Sequence, residues 1–142
     1  MIDRFNVRVY GLVLNEQNQV LVSDEQAAGM HFTKFPGGGL EYGEGIIDCL
    51  HREFKEELEA KINVLEHFHT TEEFVQSAFR KKDQIISIYY LIELLTDSIP
   101  KERPSDKETG FRWIAIHELD SDIFRFPIDK KVAGLLKSRN SI

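Results

Sequence analysis

The sequence predicts an α/β fold, an α/β/α sandwich around a mixed β-sheet, in a single domain spanning residues 1–142. Three observations predict it. Apolar patterns typical of strands recur along the chain, a strongly helical segment interrupts them between residues 45 and 59, and a second amphipathic helix closes the chain. A chain of 142 residues is long enough to bury one hydrophobic core.

The N-terminal part predicts two strands and a loop. Residues 5–14 form the first strand, with valines on one face of a period-two pattern. Residues 15–18, Asn-Glu-Gln-Asn, indicate a polar turn, and a return strand that begins at residues 20–22 makes the opening a hairpin. Residues 26–33 have the composition of a loop.

The segment from Gly45 to Glu59 predicts the central helix. Its apolar residues recur at helical spacing and form a stripe that would pack on the core: Ile47, Leu50, Phe54 and Leu58. Cys49 lies within this helix, and we interpret it as a small packing residue rather than a nucleophile.

Two further strands are predicted after the helix. Residues 61–75 are rich in β-branched and aromatic residues and predict a strand with an irregular centre near residues 66–69. Residues 84–95 are almost continuously apolar, which is typical of a strand buried on both faces.

The C-terminal part combines a loop, a short strand and a helix. Residues 96–110 form a long polar loop, and loops of that length in compact domains often carry function. A short strand at 111–115 and a turn of helix at 117–119 follow. Residues 129–138 predict an amphipathic helix whose inward side chains are Val132, Leu135 and Leu136.

Charge and composition restrict the partners. The net charge of -6 argues against a nucleic-acid polymer, because binding its phosphates requires a surplus of lysine and arginine. No apolar segment is long enough to span a bilayer, so we expect no membrane partner. A single cysteine and no signal-peptide pattern favour a cytoplasmic location.

The helix carries an unusual cluster of carboxylates. Glu53, Glu56 and Glu57 fall within a wedge roughly 100° wide on one side of it. Like charges that close repel by a few tenths of a kcal/mol per pair, whereas Mg²⁺ prefers oxygen ligands and would convert the repulsion into coordination. A solvated acidic face is the ordinary alternative. The glycine-rich entrance at residues 37–39 favours the metal site.

These residues and their spacing resemble the Nudix box, a Gly, a Glu six positions later, then Arg-Glu-apolar-x-Glu-Glu-x-Gly-apolar. The matching residues are Gly38, Glu44, Arg52, Glu53, Phe54, Glu56, Glu57 and Ala60. One position departs, since Glu59 stands where the family has its late glycine. That glycine ends the helix in a left-handed conformation, which glutamate adopts poorly, so we expect the helix to run on by one or two residues.

The resemblance implies the same sandwich fold and hydrolysis of a diphosphate bond in a nucleoside diphosphate-linked substrate, with Mg²⁺ or Mn²⁺. It implies Glu53 and Glu57 as metal ligands, and Glu56 as a ligand or as the group that accepts a proton from the attacking water. Which glutamate is the base stays open. A small nucleotide is therefore the expected partner, and a homodimer would be ordinary for the family.

The resemblance also assigns supporting residues. Arg52 would orient a metal-binding glutamate through a bidentate contact; as a plain surface ion pair it would contribute at most about 1 kcal/mol. Glu44 either ligates metal or holds the loop against the helix, and we favour the second role. Gly37 and Gly38 either make a tight turn or present backbone to metal or substrate.

Two residues outside the box are candidates for the site. Glu108, in the long loop five residues before Trp113, is a candidate for a further catalytic acid, with Glu102 and Asp106 as weaker rivals; a solvated loop glutamate is as good an interpretation. Arg8 on the first strand is a candidate for contact with substrate phosphate.

A non-catalytic, nucleotide-sensing module is the competing hypothesis. Such modules lose carboxylates of the box or carry a DNA-binding domain, whereas this chain keeps all three glutamates; only Glu59 favours the sensor. The compact length resembles the MutT-like branch. The proline found in some relatives that act on ADP-ribose is absent from residues 74–77, which counts mildly against that substrate.

Overall fold

The computed structural model describes residues 1–96 and 109–140. In chain order its strands and helices are β1 (Arg4–Val13), β2 (Gln19–Ala27), β3 (Met30–Lys34), β4 (Gly37–Gly39), α1 (Ile46–Leu58), β5 (Ile62–Thr70), β6 (Asp83–Leu94), β7 (Gly110–Ala115) and α2 (Pro127–Asn140). Two short 3₁₀ helices, Ile116–Glu118 and Ser121–Ile123, lie between β7 and α2.

The strands form two sheets. A four-stranded mixed sheet has the order β4-β1-β6-β5, in which β1 and β6 are parallel and the other pairs antiparallel. A three-stranded antiparallel sheet has the order β3-β2-β7. The α/β class and the mixed sheet are confirmed, while the division into two sheets was not predicted.

Two local predictions near the N-terminus are wrong. The opening is not a hairpin, because both edges of β1 are taken by β4 and β6, and β1 meets β2 only through an isolated bridge between Leu14 and Val20. Residues 26–33 are not a loop, because β2 and β3 pair almost to their tips. Ala28 and Gly29 turn the chain with φ of 51° and 73°, the left-handed conformations that a two-residue hairpin turn requires.

Each helix packs on its own hydrophobic core. Side chains of β1 alternate between the two cores, with Val9 and Val13 facing α1 and Leu12 facing α2. The α1 core includes Cys49, Leu50, Phe54 and Leu58, and the α2 core includes Val132, Ala133 and Leu136. This layering gives the α/β/α sandwich, with strands between two helices.

Two apolar residues that we expected to face inward do not. Ile47 and Leu135 are each 41% exposed. Each lies about 100° around its helix from a neighbour that packs on the core, Ile46 in α1 and Leu136 in α2. The remaining inward residues of both predicted stripes are confirmed.

The irregular strand is confirmed but is shorter than the predicted 61–75, since β5 ends at Thr70. The strand predicted at 84–95 is confirmed as β6, but it is not fully buried on both faces, because Ile86, Ile88 and Tyr90 on one face are partly exposed. The pairing of β5 with β6 shifts register between Val64 and Glu66 and again between His67 and His69. β6 lies inside the mixed sheet, between β1 and β5. Neither helix in the described part of the chain has the length and apolar character required to cross a membrane.

The end of α1 differs from the expectation drawn from Glu59. The helix ends at Leu58, and Glu59 adopts the left-handed conformation itself, with φ 53° and ψ 34°. Its N–H donates to the carbonyl of Lys55 at 3.1 Å, and the N–H of Ala60 donates to that of Phe54 at 3.2 Å. These bonds and the burial of Ala60 hold a turn that glutamate alone disfavours.

Glu59→Gly is therefore expected to raise the free energy of unfolding by about 1 kcal/mol, because glycine adopts positive φ without steric cost. Urea unfolding measures the change. Lys55→Gly, in the exposed interior of the same helix, is the matched control and should lower stability by about 1 kcal/mol. Equal losses in both variants would contradict a strained Glu59.

Candidate functional site

One of the predicted carboxylates, Glu53 of α1, contacts the glycine-rich strand β4. Glu53 is only 9% exposed, and its carboxylate lies directly against the backbone of Gly38 in β4. A Cβ atom at residue 38 would lie 2.5 Å from Glu53 Oε1, so a side chain there would displace the Glu53 carboxylate. The spacing of the box thus reflects a close packing of α1 on β4.

Gly37 is required for a different reason. Its φ of 145° favours glycine, and a Cβ atom there would lie 2.1 Å from the carbonyl oxygen of Val9. Its own carbonyl accepts a hydrogen bond from Lys34 Nζ at 3.3 Å. Gly37 therefore allows β4 to pair closely with β1, and its carbonyl is directed to Lys34.

Arg52 is the centre of a network that joins the loop to the helix. Its bidentate contact is with Glu44, at 2.9 Å from Nε and 2.7 Å from Nη2, rather than with a proposed metal ligand. Glu53 receives one hydrogen bond from Nη1 at 3.0 Å. Nη2 also donates to the carbonyl of Gly39 at 2.9 Å. The expected bidentate contact with a metal-binding glutamate is therefore wrong in its partner: Arg52 makes a single bond to Glu53, while its bidentate contact with Glu44 holds the loop.

Glu44 has the contacts of a residue that holds the loop. Besides Arg52, it accepts a hydrogen bond from the backbone N–H of Glu41 at 2.9 Å. The Arg52 hydrogen bond, followed by the Glu41 bond, lowers the pKa of Glu44 to about 2, so the carboxylate stays ionised. Both oxygens are engaged, which supports the structural role.

The other two glutamates of the box differ in their surroundings. Burial raises the pKa of Glu57 to about 7, with the charge of Lys34 acting against that shift and the charge of Glu53 adding to it. Glu56 is more exposed, with 59% of its side chain accessible, and its Oε2 lies 3.3 Å from Arg52 Nη1, the same nitrogen that donates to Glu53. The structure therefore brings Glu53 and Glu57 together and places Glu56 beside Arg52.

The carboxylate pair is chemically suited to a hard cation. Among residues 1–96 and 109–140, no three His, Cys, Asp or Glu side chains converge into a preformed metal cage. Mg²⁺ does not need one, since it usually keeps several waters and binds one or two carboxylates together with substrate phosphates. A buried and a partly buried carboxylate, one of which has its pKa raised by burial and further by the charge of the other, are the donor set such an ion would stabilise.

Cys49 lies beside this network and is buried. Its Sγ is 3.6 Å from the carbonyl oxygen of Gly39, and burial raises the pKa of the thiol to about 12. A thiol in this state is a poor nucleophile, which agrees with the packing role predicted for it.

A cavity of about 1110 Å³ is lined by Arg8, predicted from the sequence, and by Lys34, which sequence reasoning missed. Glu53 and Glu57 are not among its lining residues, but the charge of Glu53 acts on Arg8 and that of Lys34 acts on Glu57, so these two cations mark the end of the cavity nearer to the carboxylates. Arg8 Nη1 approaches Gly39, while Lys34 bonds to the carbonyl of Gly37. Burial opposes the charge of Arg8, but Tyr10 and then Glu53 raise its pKa. The position of Lys34 directly before Phe-Pro-Gly-Gly was the signal that could have identified it.

Aromatic side chains form one wall of the cavity. The rings of Phe32, Phe79 and Phe126 contact one another, with centroids 5.1 to 5.7 Å apart. Phe79 is 47% exposed, so part of this surface is open to a ligand. Aromatic faces of this kind pack against planar apolar groups.

The inner surface of the cavity includes a buried acid. Asp129, in the first turn of α2, accepts a 2.7 Å hydrogen bond from the hydroxyl of Tyr89, and only 6% of the residue is exposed. Burial raises the pKa of Asp129 from 3.8 to about 6, although the Tyr89 bond acts in the opposite direction.

This shift predicts the pH dependence of stability. The folded state binds the proton of Asp129 more tightly than the unfolded state, so stability is lost as pH rises from about 4 to about 6 and stays lower above that. Asp129→Asn keeps an acceptor for Tyr89 without the charge. We expect it to raise the free energy of unfolding at pH 7.5 by roughly 1–3 kcal/mol, with little gain at pH 4. Urea unfolding of both proteins at the two pH values measures this, and a pH-independent difference would contradict it.

Glu108, together with its rivals Glu102 and Asp106, lies outside the described residues. Its role as a further acid stays a prediction.

Comparison with solved structures identifies the fold. The E. coli ORF135 protein has a TM-score of 0.71 and 16% identity, with 97% of this chain and 92% of that chain covered. A NUDIX hydrolase from Nitrosomonas europaea has a TM-score of 0.74 and 19% identity, with 96% and 90% covered. A MutT protein from Methanosarcina mazei Go1 has a TM-score of 0.76 and 14% identity, with 100% and 99% covered.

Comparison with family models identifies the family. The model described as NUDIX domain matches residues 4–134, which includes β1, the glycine-rich strand, α1 and the first half of α2. The matched segment therefore contains every described residue of the candidate site. The chain belongs to the NUDIX family of hydrolases.

Proposed function

We propose that this chain hydrolyses a phosphoanhydride bond in a nucleoside diphosphate-linked substrate, with Mg²⁺ as the metal and Mn²⁺ as an alternative. The observation that carries the proposal is the Glu53–Glu57 carboxylate pair, in which Glu53 packs on Gly38 and the charges of the pair interact with Arg8 and Lys34, two cations that line the cavity. Hydrolysis of a diphosphate requires that the negative charge on its phosphoryl oxygens be offset, and a metal held here would do so. The family hydrolyses such bonds.

Glu53 and Glu57 would hold the metal, which when bound supplies electrophilic stabilisation of the phosphoryl oxygens. Arg52 holds one oxygen of Glu53 by its 3.0 Å hydrogen bond and leaves the other oxygen to the ligand. Arg8, at the near end of the cavity, would bind a substrate phosphate. Arg52 would thus orient a carboxylate, and Arg8 would neutralise the charge of a substrate phosphate.

The proton acceptor for the attacking water remains open among the glutamates. Glu56 is exposed and within reach of solvent, and it can act as base or as a further ligand. Glu108 is the candidate from the long loop. Hydrolysis requires only that one carboxylate be hydrogen-bonded to the water in the substrate complex.

The cavity supports a substrate larger than diphosphate itself. Its volume of about 1110 Å³ extends from Arg8 and Lys34 to the wall formed by Phe32, Phe79 and Phe126. A diphosphate bound at the cationic end would leave the rest of a nucleotide in the cavity. Nucleoside triphosphates, nucleotide sugars, ADP-ribose and dinucleotides all have this form.

A nucleotide-sensing module without turnover is the alternative, and Glu59, the departure from the box, is the feature that favours it. Glu59 ends α1 in the left-handed conformation of the family glycine, which supports the hydrolase. The cytoplasmic location, the homodimer and the absence of a nucleic-acid polymer as partner stay predictions.

The test is release of phosphate or pyrophosphate from a nucleotide panel with Mg²⁺. The panel contains nucleoside triphosphates, sugar nucleotides, ADP-ribose and dinucleotides, with a phosphatase-coupled readout where the product requires it. Metal-dependent turnover of one class is the expected result and identifies the substrate class. Tight binding of a nucleotide without turnover of any would instead support the sensor.

A further inference from the structure

Lys34 is a buried cation whose position is strongly constrained. The residue is 9% exposed, and its Nζ donates to the carbonyls of Phe35 at 3.2 Å and Gly37 at 3.3 Å. It also forms an ion pair with Glu25 Oε2 at 3.2 Å. Burying a lysine ammonium costs free energy, and packing of the hydrophobic cores does not require it. A buried lysine here therefore indicates a role other than core packing.

Tyr10 connects Lys34 to Arg8. Lys34 Nζ lies 5.2 Å from the centroid of the Tyr10 ring, and Arg8 Cζ lies 5.8 Å from the same centroid. Arg8 Nε also donates to the Tyr10 hydroxyl at 3.0 Å. One aromatic residue therefore fixes two cations that line the same cavity.

The two cations lie next to the proposed metal ligands. Lys34 bonds to Gly37 and Arg8 approaches Gly39, while Gly38 between them packs on Glu53. The charge of Lys34 also acts on Glu57. A diphosphate bound by the carboxylate-held metal would thus have positive charge on its other side.

Glu25 is the present partner of this charge. Its side chain is 35% exposed and lines the cavity, so it is the most solvent-accessible of the three Lys34 contacts. Its charge also acts on Arg8. A phosphate oxygen is an anionic hydrogen-bond acceptor like the Glu25 carboxylate, so a ligand can take the place of Glu25 at Lys34 without disturbing the backbone bonds.

We propose that Lys34 and Arg8 form a two-cation site for the substrate's diphosphate, with Tyr10 as the positioning residue and Glu25 as the internal counterion that substrate phosphate displaces. This inference rests on the proposed function for the identity of the ligand as a diphosphate. It adds Lys34 as a binding residue. It predicts that loss of the Lys34 charge weakens diphosphate binding and that loss of the Glu25 charge strengthens it.

Calorimetric binding of methylenediphosphonate, a non-hydrolysable diphosphate, in the presence of Mg²⁺ tests the proposal. Lys34→Met should weaken binding by about 10- to 100-fold, as expected for loss of a hydrogen bond to a charged group. Lys34→Arg keeps the charge in a larger, planar group, so it should bind more tightly than Lys34→Met. Lys55→Met, an exposed lysine on α1 with the same change in net charge, is the control and should bind like the natural chain.

Glu25→Gln provides the second test and does not remove the buried cation. Without its counterion, Lys34 should bind methylenediphosphonate more tightly, by about threefold or more. If Lys34 only fixed the glycine turn, Lys34→Met would bind normally once folded and Glu25→Gln would bind no better. Either result overturns the proposal.

Failure of this proposal is distinct from failure of the proposed function. Binding of the diphosphonate requires no turnover, so a nucleotide sensor with the two-cation site would still show both effects. Conversely, the protein could hydrolyse its substrate with metal while the Lys34 and Glu25 variants bind the diphosphonate like the natural chain. That result would support the proposed function and exclude the two-cation site.

Discussion

Replacing Glu57 with glutamine is expected to reduce Mg²⁺-dependent hydrolysis by about three orders of magnitude, because it removes one carboxylate of the Glu53–Glu57 pair. The amide matches the carboxylate in size but has no charge. Loss of a metal contribution of several kcal/mol in the transition state corresponds to about that change in rate. The measurement is kcat and KM with the substrate that the panel identifies.

The fold should survive this substitution. Burial raises the pKa of Glu57, so the buried charge does not stabilise the fold. A neutral side chain should therefore leave the free energy of unfolding near pH 8 unchanged or higher. The sign follows because a raised pKa in the folded state means that ionisation opposes folding above pH 7. Loss of activity in a protein at least as stable as the natural chain therefore indicates a functional role.

Binding of Mn²⁺ by calorimetry separates metal affinity from chemistry. We expect Glu57→Gln to lose most of this affinity. Glu16→Gln, an exposed glutamate in the turn before β2, removes the same charge far from the box in sequence and serves as the control. A Glu57→Gln variant that keeps more than about a tenth of the natural turnover would exclude Glu57 as a required ligand.

The sequence predicted the parts of this site that depend on local geometry. Helical periodicity alone places Glu53 and Glu57 on one side of α1, and the structure keeps them together. The burial of Leu50, Phe54 and Leu58 follows from the same periodicity. Regular repeats allow such inference because each residue's direction is fixed by its neighbours in the chain.

The parts that depend on distant residues could not be predicted in this way. Glu59 has low preference for positive φ, yet two backbone hydrogen bonds and the burial of Ala60 decide its conformation. Gly29 is a usual second residue of a two-residue hairpin turn, but Ala28 is an unusual first one, and the pairing of β2 with β3 imposes that turn. Lys34 lies in β3, but the residues that it contacts, Tyr10, Glu25 and Gly37, belong to β1, β2 and β4.

Gly38→Ala is expected to reduce activity by about a hundredfold or more, through steric displacement rather than loss of a charge. The added Cβ would lie 2.5 Å from Oε1 and 2.6 Å from Cδ of Glu53, well inside van der Waals contact. Glu53 must move by a substantial fraction of an ångström, and displacements of about 1 Å in a catalytic group can cost about a hundredfold. Mn²⁺ affinity should fall together with kcat/KM.

Gly39→Ala is the matched control, since it adds the same methyl group one residue along the same strand. Its nearest neighbour would be Arg8 Nη1 at 3.3 Å, the mobile end of a long side chain that can shift. We expect Mn²⁺ affinity close to that of the natural chain. Similar losses of Mn²⁺ affinity in both variants would mean that β4 is merely sensitive to substitution, and the contact between Gly38 and Glu53 would lose its significance.

A double-mutant cycle gives the sharper test, because it isolates the contact from general damage to the strand. In the natural background Gly38→Ala should lower the free energy of unfolding, since the clash with Glu53 must be relieved by moving side chain or backbone. In a Glu53→Ala background the crowded carboxylate is gone, so the same methyl group should cost little. Urea unfolding of the four proteins measures the difference, and additive effects at residues 38 and 53 would show that the two do not interact as the packing of α1 on β4 requires.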